Sequence, residues 1–595
     1  MCGLAGILDY SGNYLDESKI KKMGEVIRHR GPDDKGCYID QSIGLAFRRL
    51  SIIDIKGGHQ PMFKKNYVIV YNGELYNYQN IRKELETIGY YFKTSSDTEV
   101  VLTAYIEWGV NALTKFNGMW AFAIWDKDNK SLFLSRDRLG IKPLYYARKR
   151  ETLFFASEIK SILEGGFPAE INKEDIAEYF HFAFLAGERT MFKNIYALPP
   201  GSWIEYSTEG IKQGVFWNIE SNISCDNLDI EETTKTVLDF LEDSVELRLT
   251  SDVPVGTLLS GGVDSSILTY ISKGKSYRNF HTFCVKMDDP EYDESKYAEI
   301  AAKFMETINH TTNVSKKEYL SLLPHIAWLH DEPIAFSNAL HMFSVCSLAI
   351  DHGIKVLLSG EGADELFGGY IRYLETIERI SKSDSKFSND QLLILGSAVY
   401  GFEKVNRLLG HSEWNNPWRS NCYNKYKSLP IADCLMRMDQ CTRIVSLLHR
   451  QDRMGMGSGV ESRVPFLDYR LVEFVNRIPV EYKISNMNSK IILKDIAITL
   501  GFKRKAIYRP KMGFPTPIPK WIKSGTFSPY IDFIRDGNSS ASELYDSKYA
   551  VQLLKDYQEG KGEHSVILWL LISLELWCRI FVDKTLKVKN PDIYF

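Results

Sequence analysis

The pattern of hydrophobic and polar positions differs between the two halves of this 595-residue chain. Up to about residue 210, short β-branched and aromatic runs are separated by turn residues, as in YVIVYNGELY, GMWAFAIWD, SLFLSRD and TLFFASE. Such runs predict strands. Two amphipathic stretches, ESKIKKMGEVIRHR and NYQNIRKELETIG, predict helices, and the second ends at Gly89, a typical helix stop. We therefore expect layered sheets with helices on their outer sides.

After residue 230 the pattern becomes helical. Apolar residues at a spacing of 3.6 in EETTKTVLDFLEDSVELRL predict a helix, and the strands VGTLLS, HTFCVKM and KVLLSG then alternate with helices, one of them starting at Ser266. This alternation predicts a parallel sheet with crossover helices. From about residue 375 most of the chain is amphipathic helix. The polar stretch 207–229 is typical of an interdomain connection, so we place the domains at 1–212 and 230–595.

Composition narrows the class of partner. The net charge is −3, and 25% of the residues are charged. Without a strong positive charge, we expect neither nucleic acid nor a membrane surface as a partner, and small molecules are favoured as ligands. Nine scattered cysteines without a CxxC pair, and the lack of a secretory signal, predict a cytoplasmic protein. The apolar stretch 565–582 includes Glu575 and Arg579, so we expect a buried helix there rather than a membrane span. Nothing in the sequence excludes a homodimer.

Cys2 directly follows the initiator methionine. Removal of Met1 would place a thiol and a free α-amine on one residue, and the amine could accept the thiol proton because the two groups titrate near ~8.5 and ~8. A cysteine is also often only a small buried residue. Cys2 is therefore a candidate nucleophile whose role depends on the residues around it.

The motif SGGVDSS lies between an apolar strand and a helix, where two glycines let backbone N–H groups approach an anion. It is not a Walker A loop, because Thr269 stands at the first glycine position of the only approximate match. The motif resembles the pyrophosphate loop of the ATP pyrophosphatase superfamily, whose members cleave ATP between the α and β phosphates. The candidate ATP-binding residues in it are Ser260, Gly261, Gly262, Asp264, Ser265 and Ser266.

A second glycine turn, LLSGEGADELFGGY, adds Glu361, Asp364 and Glu365. Ligands of open parallel sheets bind beyond the carboxyl ends of the strands, so we expect both turns to meet at one crevice. Asp264 and Asp364 are the candidate ligands for Mg²⁺, which prefers carboxylate and phosphate oxygens. The alternative is that these acids are merely solvated.

Three further residues have two interpretations each. Lys511 in RPKMGF could neutralise charge on departing pyrophosphate, although a single lysine there could equally lie on the surface. Arg463 and Asp468 in ESRVPFLD are as well explained by structural roles as by catalytic ones.

Five motifs of the first half, MCGLAGI, RHRGPDD, RRLSIID, YNGELYN and SSDTEV, together resemble the class II glutamine amidotransferase domain. With SGGVDSS, YDES, SGEGADELFGGY, RVPFLD and the lysine of RPKMGF behind them, the chain resembles the glutamine-hydrolysing asparagine synthetase family, most weakly between 375 and 450. The resemblance implies a two-domain fold of the α/β and α+β classes. An N-terminal-nucleophile αββα sandwich would precede a Rossmann-like parallel domain with a helical C-terminal part.

The resemblance also implies roles for the first half. Cys2 would attack the side-chain amide of glutamine, and Asn72 with the backbone N–H of Gly73 would form the oxyanion hole. Arg49 corresponds to the residue that binds the glutamine α-carboxylate. Asp97 corresponds to the residue that binds the α-ammonium group, with Glu74 nearby.

For the second half, the resemblance implies that ATP activates an acceptor carboxylate and that ammonia, conducted internally, displaces AMP. Leu259 and Val285 correspond to positions around adenine, Ser359 and Gly360 to positions near the nucleotide, and Glu361 to the acid associated with adenylate formation. The substrates implied are glutamine, aspartate and ATP, with Mg²⁺ as cofactor.

Three alternatives stay open. The acceptor could be another carboxylate, such as a sugar uronic acid or a natural-product or cell-surface precursor, since the loop RPKMGFPTPIPKW departs from the best-known bacterial pattern. A glutaminase that feeds a sugar-phosphate or phosphoribosyl partner is disfavoured by SGGVDSS and SGEGADE. A catalytically silent homologue is disfavoured by the intact set of Cys2, Arg49, Asn72 and Asp97.

Overall fold

The structure is a computed structural model that describes residues 2–12, 15–220, 229–276, 279–382, 396, 398–399, 401–411, 417–485, 488–509 and 511–588. Part of the predicted interdomain connection, residues 221–228, lies outside the described residues.

The first half, over the residues described, contains two stacked antiparallel sheets. One sheet has the strand order β10-β8-β9-β1-β3-β2 and the other the order β12-β11-β7-β6-β5-β4. Apolar side chains from both, including Leu45, Phe47, Val70 and Trp125, fill the space between them. The strands are β1 Cys2–Asp9, β2 Asp34–Ile39, β3 Ile43–Arg49, β4 Met62–Lys64, β5 Tyr67–Leu75, β6 Gly118–Asp126, β7 Ser131–Arg136, β8 Tyr145–Lys149, β9 Thr152–Ala156, β10 Ile195–Ala197, β11 Ser202–Ser207 and β12 Gly210–Val215.

Helices cover the outer face of each sheet, which completes the predicted αββα arrangement. The two predicted helices are confirmed as Glu17–Glu25 and Tyr78–Thr87. The structure adds a long helix, Asp97–Trp108, that the pattern did not reveal. Its first eight residues are buried, so it has no polar face along them to mark a helical period. The remaining helices of this half are Ala112–Lys115, Ile159–Glu164 and Ile176–Phe182.

Part of the stretch predicted as an interdomain connection is a strand. β12 pairs with β11 at the edge of the second sheet and extends past the domain limit placed at residue 212. Most of its residues are exposed, so their polar character is compatible with an edge strand. Polarity alone was therefore a poor guide to a linker here.

The second half contains the predicted parallel sheet, with the order β15-β14-β13-β16-β17 over the residues described. The three predicted strands are confirmed, and the two edge strands, INHTTN and ESR, were missed because they carry few apolar residues. A small hairpin, Ile484–Ser485 with Asn488–Ser489, lies apart from this sheet. The strands are β13 Val255–Leu258, β14 His281–Lys286, β15 Ile308–Asn313, β16 Val356–Leu358 and β17 Glu461–Arg463.

Helices surround the parallel sheet and form most of the C-terminal part. The helix after β13 begins at Val263, three residues before the predicted start, because the extended Gly262 is already its N-cap. Within the described residues, the α-helices of this half are Ile230–Leu249, Val263–Lys275, Ser295–Met305, Lys316–His330, Ala339–Asp351, Ala363–Phe367, Ile371–Ser381, Phe402–Leu409, Pro417–Tyr426, Ile431–Cys441, Arg443–Gly457, Tyr469–Val475, Ile491–Thr499, Arg504–Ile507, Ile518–Lys523, Ser528–Asp536, Ser547–Gln558 and Ser565–Trp577.

The last of these helices is a core element, as predicted. The segment Ser565–Val582 is long and apolar enough to cross a membrane, but 72% of it is buried within the protein. Its Leu570 carbonyl accepts a hydrogen bond from Tyr179 of the first half (2.9 Å), and Trp577 donates to the Asp331 carbonyl (2.8 Å). The helix thus joins elements from both halves.

A network of buried charges also joins the halves. Arg30 pairs with Glu158 at 2.9 Å and with Asp452 at 2.7 Å, and Arg453 pairs with Glu158 at 2.9 Å and with Asp331 at 3.1 Å. All five side chains are no more than 2% exposed. Burial by itself would raise the pKa of Glu158, but the surrounding His29, Lys160 and Arg453 hold it well below its usual range. Each charge is therefore stabilised only by its partners.

We expect Asp452→Asn to destabilise the junction between the halves, because Arg30 would lose a buried counter-charge. Breaking a buried pair typically costs about 3–5 kcal/mol, which urea unfolding at pH 7 would detect. The control is Asp532→Asn, which removes an exposed helical pair with Arg535 and should leave the unfolding midpoint unchanged.

The pH dependence gives a second check on this substitution. Burial opposes ionisation of Asp452, but Arg30 and Lys142 lower its pKa, so its stabilising contribution is full above the unfolded pKa of ~3.9 and is lost below it. The difference between wild type and Asp452→Asn should shrink only in that acidic range. Equal stability of the two proteins at pH 7 would contradict the network's role.

Candidate active sites

Cys2 lies at the start of β1, directly opposite Arg49 of β3. Its backbone N–H donates to Asn72 Oδ1 (3.0 Å), and its carbonyl accepts from Arg30 Nε (3.1 Å). Burial raises the pKa of the Cys2 thiol, and the amino terminus, the Leu50 N–H and Arg49 only partly oppose this effect. The thiol therefore needs a nearby base before it can act as a nucleophile.

The two residues predicted to form an oxyanion hole lie side by side on β5. Asn72 is fully buried, and its Nδ2 has no hydrogen-bond partner among the residues described. Gly73 pairs with Trp120, and a Cβ at this position would lie only 2.3 Å from the Met119 carbonyl oxygen, so no larger residue fits. A buried, unused donor close to Cys2 suits the stabilisation of a developing oxyanion.

Two buried carboxylates lie close to these residues: Glu74, which follows Gly73 on β5, and Asp97. Asp97 begins the helix Asp97–Trp108 and accepts from the Leu75 N–H (3.0 Å). Burial raises the pKa of Asp97, and burial together with Glu461 raises that of Glu74 well above its usual range. Carboxylates held in this way would be stabilised by a cation, as the predicted role towards an α-ammonium group requires.

Arg49 is held in place by a loop. Its guanidinium donates to the carbonyls of Ile53 (3.1 Å), Asp54 (2.7 Å) and Ile55 (3.0 Å). A cavity of about 480 Å³ opens beside it, within the usual size range of small-ligand sites. The cavity is lined by Asp33, Asp34, Arg49, Ser51, Ile55, Lys56, His59, Val253 and Lys355.

Residues of the second half contribute to this region. The Asp54 N–H donates to Asp252 (2.8 Å), and Lys355 pairs with Asp33 (2.8 Å). Asp252 and Lys355 shortly precede β13 and β16, the strands that lead to the two glycine turns. The Arg49 loop is thus bonded to the second half of the chain.

The loop Ser260–Gly262 has the predicted strand–loop–helix setting. Gly261 has φ +70°, and a Cβ there would lie 2.4 Å from the Tyr297 carbonyl carbon, so the turn requires glycine. Ser260 Oγ accepts from the Gly262 N–H (3.3 Å) and contacts Ser265 Oγ (3.2 Å). The other predicted residues lie around it: Ser266 is buried within the helix, and Leu259 bonds through its N–H to Phe283 on the strand that carries Val285.

The structure brings the two glycine turns together. Lys490 Nζ lies 2.5 Å from Asp264 and 2.6 Å from Asp364, and Lys511 also contacts Asp364. Burial would raise the pKa of Asp364, but Lys490 and Lys511 lower it strongly. Ser359 bonds to the Arg463 carbonyl (2.9 Å), which places the Ser359–Gly360 turn against β17. The predicted crevice is therefore present.

Asp264 and Asp364 supply carboxylate oxygens of the kind that the predicted metal role requires, although Lys490 contacts both of them. Asp264 Oδ1 is buried without a hydrogen-bond partner among the residues described. Those residues contain no set of three or more His, Cys, Asp or Glu side chains arranged to hold a metal ion. A Mg²⁺ ion at this pair would therefore take its remaining ligands from nucleotide phosphates and water, as this ion commonly does.

Two basic residues of this site were missed in the sequence. Lys490 is the N-cap of the helix Ile491–Thr499 and has φ +56°, and no glycine motif adjoins it. Arg450 pairs with Glu361 at 2.5 Å and donates to Asn338 Oδ1 (2.8 Å). Both lie far along the chain from the motifs they contact, so no local signal marks them.

The structural interpretation of ESRVPFLD accounts for its contacts. Arg463 pairs with Glu461 at 2.5 Å and donates to the carbonyls of Arg248 and Thr250 (both 2.7 Å). Its Nη2 lies 3.6 Å from Glu74 Oε1, across the junction between the halves. Asp468 caps the helix Tyr469–Val475 and pairs with Arg248.

Comparison with family models assigns both halves. Residues 1–217 match the glutamine amidotransferase domain, and residues 236–579 match the asparagine synthase model. The chain belongs to the asparagine synthase family. It is a glutamine-hydrolysing carbon–nitrogen ligase with an ATP-using synthetase domain.

Relatives cover nearly the whole chain. Asparagine synthetases [glutamine-hydrolyzing] 1 and 3 of Bacillus subtilis (strain 168) are 33% and 32% identical to it, over 98% and 96% of this chain and 97% and 95% of theirs. An amidase, chyE, of Penicillium rubens is 28% identical over 88% of this chain and 91% of its own. The glutamine phosphoribosylpyrophosphate amidotransferase of B. subtilis aligns with a TM-score of 0.28 and 18% identity, over 52% of this chain and 65% of its own, too weakly to carry an argument.

We expect Asn72→Ala to lower the kcat of glutamine hydrolysis by about 10²–10³-fold, because an oxyanion donor acts on the transition state. Steady-state glutaminase kinetics would measure this loss. Ammonia-dependent synthesis by the same variant is the internal control and should stay at the wild-type rate. A change in KM alone would argue against the assignment.

Proposed function

We propose that this enzyme hydrolyses glutamine at Cys2, adenylates aspartate with ATP and amidates the adenylate to asparagine. The proposal rests on one observation: Asp264 and Asp364 both contact Lys490 at the end of the parallel sheet. It supplies an anion-binding loop, candidate metal ligands and fixed cations in one crevice, on the same chain as a candidate cysteine nucleophile.

In the first half, removal of Met1 would free the α-amine of Cys2 to accept the thiol proton. The sulfur then attacks the glutamine amide carbon, and the developing oxyanion is stabilised by Asn72 Nδ2 and the Gly73 N–H. Collapse of this intermediate transfers a proton to the leaving ammonia and leaves a thioester, which water hydrolyses to glutamate. Arg49 holds the α-carboxylate of glutamine during these steps, and Asp97 with Glu74 holds its α-ammonium group.

In the second half, the loop Ser260–Ser265 binds the ATP phosphates. Mg²⁺ held at Asp264 and Asp364 would neutralise phosphate charge when bound. The β-carboxylate of aspartate attacks the α-phosphorus and releases pyrophosphate, whose negative charge Lys511 and Lys490 offset. Ammonia then attacks the acyl carbon and AMP leaves. Glu361, oriented by Arg450, is the residue that we place beside the acyl group.

A second candidate is the amidation of a different carboxylate by the same two sites. The similarity to a Penicillium amidase and the loop RPKMGFPTPIPKW favour it. A division into two domains, with β12 kept whole in the first domain rather than cut at residue 212 and the second domain at 230–595, is a further proposal. A cytoplasmic location and a homodimer are proposals that rest on the sequence alone.

Cys2→Ala should abolish glutamine-dependent synthesis and leave ammonia-dependent synthesis at the wild-type rate, because the nucleophile is used only in the first half. Asparagine formation with each nitrogen source would measure this. Mass spectrometry of the active wild-type enzyme should show that Met1 is absent. Parallel loss of both activities, or an active enzyme that retains Met1, would contradict the proposal.

The acceptor is tested with a panel of carboxylates. ATP–pyrophosphate exchange by the Cys2→Ala variant should depend on aspartate and show little response to glucuronate or monocarboxylic amino acids. Using this variant separates adenylation from glutamine hydrolysis. If exchange responds to another acid but not to aspartate, asparagine formation is contradicted and amidation of that other carboxylate is supported instead.

A further inference from the structure

One cation near the nucleotide crevice has no carboxylate partner. Lys490 and Lys511 pair with Asp364, and Arg450 pairs with Glu361. Arg443 forms no ion pair within 4.0 Å in the part of the chain that the structure describes, and its Nε is buried without a hydrogen-bond partner there. Among the described residues, Arg443 is therefore a positive charge of this region without a paired carboxylate.

Aromatic contacts place Arg443 beside the proposed reaction site. Its guanidinium lies 5.2 Å from the ring centre of Tyr370 and 5.3 Å from that of Phe336. The ring of Phe336 also contacts Arg450 (5.4 Å), and the ring of Tyr370 also contacts Lys511 (5.0 Å). Arg443 thus shares its two neighbours with the partner of Glu361 and with the lysine on Asp364.

The surrounding segments enclose this position. Arg443 and Arg450 are two turns apart on the helix Arg443–Gly457 and so share a face. The segment after Lys511 contacts the Phe336 loop: Thr516 and Ser337 hydroxyls are 2.7 Å apart, and Asn338 donates to the Phe514 carbonyl (3.1 Å). A helix, the Phe336 loop and the Lys511 loop therefore surround the region next to Glu361.

Two carboxyl groups close to Tyr370 are bonded to other partners. Glu365 accepts a hydrogen bond from Tyr370 (2.6 Å), and Asp439 pairs with Arg372. Neither forms an ion pair with Arg443 in the described part of the chain. A partly buried cation without a counter-charge is costly, so its presence beside a reaction site points to an anionic ligand.

We propose that Arg443 binds a carboxylate of the acceptor other than the one that is activated. The proposal rests on the proposed function and extends it: the acceptor is a molecule with two carboxylates. One carboxylate would meet the nucleotide near Ser359 and Glu361, and the other would bind the Arg443 guanidinium, which suits a bidentate carboxylate contact. The α-carboxylate of aspartate fulfils this requirement, whereas a hexuronic acid has no second carboxylate.

β-Alanine is the informative probe, because it is aspartate without the α-carboxylate and keeps the carboxylate that reacts. We expect the wild-type enzyme to adenylate aspartate far more efficiently than β-alanine. Succinate, which keeps both carboxylates and lacks the ammonium group, reports separately on recognition of the ammonium group.

The variants are Arg443→Gln, Arg443→Lys and, as a matched control, Arg407→Gln. Arg407 also lies over a tyrosine ring, that of Tyr549 at 4.4 Å, but on the separate helix Phe402–Leu409. ATP–pyrophosphate exchange is measured with aspartate, succinate, β-alanine and glucuronate. Unchanged glutaminase kinetics and thermal unfolding would show that each variant is folded.

We expect Arg443→Gln to raise the KM for aspartate by about 10–100-fold, the size of a hydrogen-bonded charge contact, with the KM for ATP within about twofold of wild type. The same variant should leave β-alanine kinetics unchanged. Arg443→Lys should recover part of the aspartate affinity, and Arg407→Gln should match wild type.

The outcomes separate this proposal from the proposed function. An unchanged KM for aspartate in Arg443→Gln, or equal losses with aspartate and β-alanine, would overturn the role of Arg443 and leave asparagine formation intact. If the wild type instead uses succinate and not aspartate, and Arg443→Gln weakens that use, the Arg443 contact stands and asparagine formation fails. Activity only with glucuronate or other single-carboxylate acids would overturn both.

Discussion

The structure depends on one physical constraint: a carboxylate that is buried away from water must be paired with a cation. At the junction of the two halves, Asp452 and Glu158 are matched by the cations around them, among which Arg30 and Arg453 form direct ion pairs. Arg30 also bonds to the carbonyl of Cys2, so one residue contacts both the proposed nucleophile and the synthetase half. A shift of one half against the other would leave buried charges unpaired, and the two sites therefore have a defined relative position.

The proposed reaction sites contain polar atoms without a partner among the described residues, as does part of the structural interior. Around Arg463 several hydrogen bonds form within the chain, but Arg463 Nη2 has no hydrogen-bond partner there. At the proposed sites the available atoms are a donor on Asn72, an acceptor on Asp264 and the Nε of Arg443. Each such atom has the charge or donor character that complements one part of a substrate. Unmet bonding capacity therefore indicates a ligand site only where another feature, such as a glycine turn or an adjacent candidate nucleophile, coincides with it.

Sequence alone predicted the elements whose patterns are local. β6 is GMWAFAIWD residue for residue, and the glycine turns at Ser260–Gly262 and Ser359–Gly362 lie where the strand–turn–helix pattern placed them. The helix Asp97–Trp108 was not predicted because its first turns are buried on all sides, so polar residues do not recur along it at a helical spacing. β15 and β17 were not predicted because edge strands need few apolar residues. The sequence could not reveal three basic residues, Lys490, Arg450 and Arg443, for another reason. Each lies close to a motif that is distant in sequence, and only the packing of helices brings residue and motif together.

The buried C-terminal helix has a consequence for how the protein is made. Trp577 bonds to the carbonyl of Asp331, a member of the charge network, and Leu570 bonds to Tyr179 of the first half. Among the described helices, this one leaves the ribosome last, while domains generally begin to fold from the N-terminal side. The contact between Tyr179 and Leu570 can therefore form only after residue 570 has been translated, when the amidotransferase sheets have long been synthesised. The docking of this helix is in this sense a late step that connects the two halves.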